Sequence, residues 1–90
     1  MSRDLAIVVP EGSESAHWIE LIETAPVDLI VEKGRLFDVY RGLGVGPGKK
    51  SLAITFSLRA EDHTLTDEEI KKAFETIIRV LAENGAPLRQ

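Results

Sequence analysis

The sequence predicts one α+β domain in which an antiparallel sheet carries two helices on one face. Two observations support this prediction. Short stretches alternate apolar and polar residues with the period of a strand, two other stretches repeat apolar residues with the period of a helix, and together they follow the order β-α-β-β-α-β. The 90 residues suffice for one hydrophobic core but not two, so we expect residues 1–90 to form a single domain.

The first half of this unit begins with a strand and continues as a helix. In residues 5–10, LAIVVP, the odd-numbered residues before the proline are all apolar and share one face. Helical spacing then extends over about 13–25. We expect Ser13 or Ser15 to cap the start of this helix, and Pro26 to stop it.

The next two strands form a hairpin around a glycine-rich connection. Residues 27–40 are rich in β-branched and aromatic residues, but the tripeptide KGR at 33–35 interrupts the alternation and predicts a bulge or bend. Beyond it, the pattern puts Phe37 and Val39 on one face, and Asp38 and Tyr40 on the other. Residues 51–58, SLAITFSL, alternate strictly and are the clearest strand.

A second helix and a short final strand complete the unit. Thr66 followed by Glu69 predicts a capping box, and Asn84-Gly85 predicts the end of the helix. The tetrapeptide APLR then predicts a last strand, with Leu88 facing the core and Arg89 facing the other side.

This order is the ferredoxin-like arrangement, a four-stranded antiparallel sheet with both helices on one face. The opposite face is left open, and the alternation places small or polar residues and one aromatic on it: Ala6, Val8, Asp38, Tyr40, Ser51, Ala53, Thr55, Ser57 and Arg89. Such a face can simply be solvated. It also offers an aromatic, an acceptor and a hydroxyl, the groups with which sheets recognise single-stranded RNA.

Composition excludes several kinds of site and partner. The absence of cysteine excludes disulfides, zinc thiolate sites and cysteine nucleophiles. A net charge of -4 argues against a free-standing nucleic-acid-binding protein, which usually presents a basic stripe. No apolar run approaches the roughly 20 residues needed to cross a bilayer, so we expect no membrane partner and a cytoplasmic location.

The glycine-rich stretch before Lys49 and Lys50 does not fit a nucleotide-binding loop. A Walker A loop needs a serine or threonine where Lys50 stands and a glycine where Leu43 stands, and a dinucleotide fingerprint would need a glycine at Lys49. We therefore interpret it as a hairpin connection. His17 and His63 lack partners at metal-binding spacing, and no serine lies in a nucleophile elbow. No catalytic residue, metal ligand or cofactor is predicted.

Three motifs in the observed order carry a resemblance to a known family: LFDVYRG, GKKSLA and HTLTDEEI. The chain resembles, over essentially its whole length, the C-terminal ferredoxin-fold anticodon-binding domain of the bacterial phenylalanyl-tRNA synthetase beta subunit. The resemblance implies a non-catalytic module that binds the anticodon stem and loop of tRNA(Phe). It implies a parent ligase that uses ATP and Mg, and as further partners the other beta-subunit domains and the alpha subunit.

The resemblance also implies which residues hold the first anticodon base, a guanine. By motif these are Asp38, Tyr40, Ser51 and Arg89. Tyr40 would stack on the base, Asp38 would accept hydrogen bonds from its Watson-Crick edge, and Ser51 would add a hydroxyl contact. Arg89 would stack or meet phosphate. Arg41, Lys49 and Lys50 would supply the local positive field.

Two departures from the family pattern leave alternatives open. His63 stands where the family usually has a basic residue, which puts a phosphate contact there in doubt at neutral pH. The 90 residues include none of the other beta-subunit domains, so we expect an excised fragment that binds tRNA weakly alone. The alternatives are a stand-alone module that binds a peptide or a second copy of itself, and a small enzyme, disfavoured because no titratable cluster is visible.

Overall fold

Five elements are present in a computed structural model, which describes residues 2–42 and 45–88. They are β1 (Ser2–Pro10), α1 (Ser15–Glu23), β2 (Ile30–Tyr40), β3 (Lys49–Arg59) and α2 (Asp67–Glu83). Strand β3 lies in the centre of the sheet, with β1 and β2 antiparallel to it on either side. The predicted α+β class and the order of these five elements are confirmed.

One face of the sheet and both helices share a hydrophobic core. The strict alternation of β3 buries Leu52, Ile54, Phe56 and Leu58, and the register sets apolar residues of β1 and β2 beside them. The buried residues from the helices are Trp18, Ile22, Ile70, Ala73, Ile77 and Leu81. Both helices therefore cover the same face of the sheet, as predicted, and the other face is left open.

Within the described residues the sheet has three strands, so the prediction of four was wrong there. Of the predicted last strand, the described residues form a single antiparallel bridge between Ile7 and Leu88, beside a hydrogen bond of 2.9 Å from the Val8 N–H to the Pro87 carbonyl. Pro87 has no N–H to donate back to Val8, so the ladder is interrupted on that side of the bridge. Leu88 nevertheless packs against the core, as expected.

The start of α1 also differs from the prediction. Glu14 is the N-cap residue and its side chain makes no capping hydrogen bond, so neither Ser13 nor Ser15 is the N-cap. The Ser13 N–H donates to the Pro10 carbonyl at 3.0 Å, which holds Ser13 in the turn before the helix. The short helix is stabilised by the burial of Trp18 and Ile22 instead.

Helix α2 begins and ends as its sequence predicts. The Glu69 N–H donates to Thr66 Oγ1 at 3.2 Å, and the Thr66 N–H donates to Glu69 Oε1 at 3.1 Å, which is the reciprocal capping box. At the other end, the Ala86 N–H donates to the Leu81 carbonyl at 2.9 Å, beyond a left-handed Gly85. No helix in residues 2–42 and 45–88 is long and apolar enough to cross a membrane.

Strand β2 contains two register shifts against β3. The first, between Glu32 and Arg35, is the predicted interruption, and Lys33 adopts a left-handed φ of 58° there. The second lies between Leu36 and Asp38 and was not predicted. It leaves Phe37 without a cross-strand partner and 55% exposed. The expectation that Phe37 shares the face of Val39 is therefore wrong, and Leu36 takes the position opposite Ile54 instead.

Gly34 allows β2 to approach α1 closely at the first shift. Its N–H donates to Glu23 Oε2 at 2.8 Å, and a Cβ at this position would lie 2.8 Å from Ile19 Cγ2. Such a separation is below van der Waals contact, so either the side chain of Ile19 or helix α1 must shift to admit a larger residue. Glycine at 34 thus fixes how closely the end of α1 packs on the edge strand.

We expect Gly34→Ala to lower the free energy of unfolding by at least about 1 kcal/mol, because the added methyl group overpacks this contact. Gly12→Ala is the matched control, since a Cβ at Gly12 meets nothing within 4 Å. Urea denaturation of the two variants measures the difference. Equal stability of both would mean that the helix and strand can separate without cost.

Candidate nucleic-acid interface

The open side of the sheet is built from rows of three residues, one from each strand. We define the open face by four such rows, written in the order β1, β3, β2: Val8-Ser51-Tyr40, Ala6-Ala53-Asp38, Asp4-Thr55-Arg35 and Ser2-Ser57-Glu32. Consecutive rows are about 7 Å apart along the strands. Lys49 continues β3 on this side beyond the first row, where it lies opposite Pro10.

Tyr40 and Asp38 lie in adjacent rows of this face, as predicted. Tyr40 is 39% exposed, and Asp38 is exposed as well. Asp38 Oδ1 accepts a hydrogen bond from the Val39 N–H at 2.9 Å, whereas its Oδ2 accepts none from the described residues. The pair therefore presents an aromatic ring and one carboxylate oxygen that is open to a further hydrogen-bond donor.

The other two residues of the predicted base site are placed differently. Ser51 belongs to the same row as Tyr40, but it is only 2% exposed, which differs from the expected exposed hydroxyl. It lies on the central strand between Val8 and Tyr40, whose larger side chains flank it on both sides. Arg89, the fourth predicted residue, lies outside the described residues.

The three cations expected near the hairpin are not equivalent. Arg41 Nε donates to Glu11 Oε1 at 2.7 Å, and the Glu11 N–H donates to the Gly48 carbonyl at 2.9 Å. Glu11 thus hydrogen-bonds to both ends of the hairpin connection, at Arg41 and at Gly48, and its charge offsets that of Arg41. Lys50 lies opposite Val9 and so belongs to the helix-covered side by register. Lys49 is exposed, and its register places it on the open side.

Arg35 is a member of the open face that sequence reasoning missed. It lies opposite Thr55, one row beyond Asp38. In an uninterrupted strand, residues 35 and 38 would point to opposite faces because their separation is odd. The second shift, at Phe37, brings them to the same side. The interruption at KGR was visible in the sequence, but nothing in the sequence marked the shift at Phe37.

His63 is held between two carboxylates at the start of α2. Its Nδ1 lies 2.7 Å from Asp62 Oδ1, and its Nε2 lies 2.8 Å from Glu69 Oε2. Hydrogen bonds to Glu69 and then to Asp62 raise the pKa of His63 above its ordinary value of 6.5. The hydrogen bond from His63 lowers the pKa of Glu69 below 4.5. The charged imidazolium is favoured, but both nitrogens are already engaged by acids, so this position is poorly suited to a phosphate contact.

This arrangement predicts a pH-dependent contribution to stability. A raised histidine pKa stabilises the fold fully below pH 6.5, and that contribution is lost as pH rises through the folded-state pKa. The lowered pKa of Glu69 likewise stabilises the fold above pH 4.5, and that stabilisation is lost as pH falls through the folded-state pKa of Glu69. We therefore expect the difference in unfolding temperature between the parent protein and His63→Ala to be greatest between pH 4.5 and 6.5. A difference that stays constant from acid to alkaline pH would contradict this pairing.

No group of three or more His, Cys, Asp or Glu side chains in the described part of the chain could hold a metal ion. The arrangement of the open face supports binding instead. It offers a stacking surface, a hydrogen-bond acceptor and nearby cations, all on one side of a rigid sheet. These groups can hold an unpaired base and its backbone.

Comparison with known proteins agrees with this chemistry. Residues 1–89 match the family model described as the ferredoxin-fold anticodon binding domain. The chain is 44% identical over 90 residues to the phenylalanine-tRNA ligase beta subunit of Syntrophotalea carbinolica, covering 99% of this chain and 11% of that protein. The corresponding subunit of Symbiobacterium thermophilum is 43% identical over 90 residues, which cover 99% of this chain and 10% of that protein. The subunit of Vibrio cholerae is 42% identical over 88 residues, which cover 97% of this chain and 11% of that protein.

The chain spans about a tenth of the length of these curated relatives. The match nevertheless extends over nearly all of its own residues and includes both strands that carry Tyr40, Asp38 and Lys49. The chain therefore belongs to the family of ferredoxin-fold anticodon-binding domains.

Proposed function

We propose that this domain binds the anticodon stem and loop of tRNA(Phe) through its open face and is not itself catalytic. The observation that carries the proposal is the exposure of Tyr40 and Asp38 in adjacent rows, within a chain of an anticodon-binding family. Tyr40 stacks on an unpaired base, and Asp38 Oδ2 accepts hydrogen bonds from the Watson-Crick edge of a guanine.

The remaining site residues have supporting roles in this proposal. The Ser51 hydroxyl contacts the base after Tyr40 shifts, because Ser51 is covered in the free domain. Arg89 stacks on a base of the anticodon loop or contacts a phosphate. Lys49 attracts the RNA backbone on the open side, and Lys50 and Arg41 add positive potential at the hairpin. Glu11 limits the contribution of Arg41, because their pair must open before Arg41 Nε can meet a phosphate.

The proposed setting is a phenylalanine-tRNA ligase, in which other parts of the enzyme perform the chemistry with ATP and Mg. The further partners are the remaining domains of a beta subunit and an alpha subunit, in the cytoplasm. This setting accounts for the net charge of -4, which disfavours tight binding of RNA by the domain alone. Tethering to a larger tRNA-binding enzyme supplies effective concentration, so weak and salt-sensitive binding by the isolated domain is sufficient.

An NMR titration of the labelled domain with the anticodon stem-loop of tRNA(Phe) at low salt tests the proposal. The control is the same stem-loop with a changed first anticodon base. We expect amide shifts confined to the open face and the hairpin connection, and weaker shifts with the control. Shifts confined to the helices, or no shifts at millimolar RNA, would contradict the proposal. Concentration-dependent shifts at Tyr40 without RNA would instead favour a self-association module.

A further inference from the structure

Beyond the row of Asp38, the open face continues into a polar depression of about 280 Å³. Its lining residues are Ser2, Lys33, Arg35, Thr55, Phe56 and Ser57. Two cations and three hydroxyls therefore surround one concave surface. Arginine, lysine and hydroxyl side chains are the groups that most often contact phosphate oxygens of nucleic acids, and concavity lets several of them converge on one phosphate.

Neither of the two cations of this depression is held in an ion pair among the described residues. Among the described residues, neither Lys33 nor Arg35 makes an ion pair or a side-chain hydrogen bond, whereas Arg59 and Arg41 are both paired with glutamates. Glu32, which is adjacent in sequence to Lys33, is paired with Arg59, and the charge of Lys33 is the smallest of the causes that lower the pKa of Glu32. Asp4 shares the row of Arg35 but is separated from it by the whole of β3, which is about 10 Å. The two cations thus remain available to an anionic ligand.

The backbone at Lys33 is also held in an unusual conformation. Its φ of 58° is left-handed, which costs a non-glycine residue about 1 kcal/mol or more. Two features hold it in place, namely the register shift and the hydrogen bond from the Gly34 N–H to Glu23. A strained backbone that its surroundings enforce is found preferentially at binding sites. Here the strained residue is one of the two unpaired cations.

We propose that Lys33 and Arg35 bind a phosphate of the RNA backbone in this depression. This inference rests on the proposed function and extends its site along β2. The RNA then places a base at Tyr40 and Asp38, and a phosphate two rows beyond Tyr40, about 13 Å away along the sheet. The guanidinium of Arg35 supplies a planar fork, and Lys33 supplies a point charge from the rim.

The experiment compares affinities for the tRNA(Phe) anticodon stem-loop at about 50 and 200 mM salt. Three proteins are used: the parent chain, the double variant Lys33→Gln/Arg35→Gln, and the control Lys71→Gln/Arg79→Gln. The control removes the same charge from exposed positions of α2, on the other side of the sheet. Each phosphate contact in a single strand contributes about 0.7 to the slope of log affinity against log salt, so losing the one phosphate bound by Lys33 and Arg35 makes the slope shallower by about 0.7.

We therefore expect the affinity of the parent chain to fall about 2.6-fold more than that of the Lys33/Arg35 variant over this salt range. The control should keep the slope of the parent. Equal slopes in all three proteins, with binding still sensitive to a change of the first anticodon base, would overturn this inference and leave the proposed function standing. No binding by the parent chain would overturn both. Unfolding temperatures of the variants exclude a loss of fold as the cause.

Discussion

Phe56→Ala is expected to lower the free energy of unfolding by about 3 to 5 kcal/mol. Phe56 lies on the central strand with 1% of its surface exposed, and its ring centroid is 6.1 Å from that of Phe74 on α2. The substitution removes the contact between sheet and helix and leaves a cavity between them. A domain of this length typically has about 5 to 13 kcal/mol of stability, so about a quarter or more would be lost.

Phe37→Ala is the matched control and is expected to cost less than about 0.5 kcal/mol, because Phe37 is exposed at the second register shift. Urea denaturation followed by tryptophan fluorescence measures both variants. Trp18 is the only tryptophan of the chain and is buried in the same core, so its emission reports the loss of that core. Equal losses at the two phenylalanines would contradict the placement of Phe37 outside the core.

These two phenylalanines also show how far periodicity predicts the fold. Strand β3 keeps one phase over its whole length, so its alternation correctly predicted which of its apolar side chains face the core. In β2 the first register shift was visible, because a glycine stands beside two cations. The second has no such marker, and it puts Leu36 and Phe37 out of phase with the alternation of residues 38–40. A register shift depends on pairing with another strand, which a single segment does not encode.

The candidate site, like the fold, was predictable where it depends on alternation within one strand and not where it depends on contacts between strands. Tyr40 and Asp38 were assigned to the open face correctly, because both follow the second shift and are separated by an even number of residues. The burial of Ser51 depends on side chains from two other strands, and the pair between Arg41 and Glu11 joins residues 30 positions apart. Such features follow from tertiary packing, so no local pattern could have predicted them.

Asp38→Asn is expected to weaken binding of the tRNA(Phe) anticodon stem-loop by about 10- to 100-fold when its first base is guanine. The amide oxygen can still accept the hydrogen bond of the Val39 N–H, which Asp38 Oδ1 accepts at 2.9 Å, so the local backbone is preserved. The other carboxylate oxygen is replaced by an NH₂ group. A donor then faces the N–H groups of the guanine edge, where the parent protein offers an acceptor.

The same substitution should leave binding of a stem-loop with adenine at that position unchanged or slightly tighter. Removal of one negative charge favours any RNA, so a loss confined to guanine runs against the general electrostatic trend. Asp28→Asn removes the same charge from an exposed position outside the open face and should show only that trend. Fluorescence titration of both stem-loops with the three proteins measures the discrimination. Parallel changes with guanine and adenine would mean that Asp38 does not read the base, and the guanine contact would then have to come from another residue.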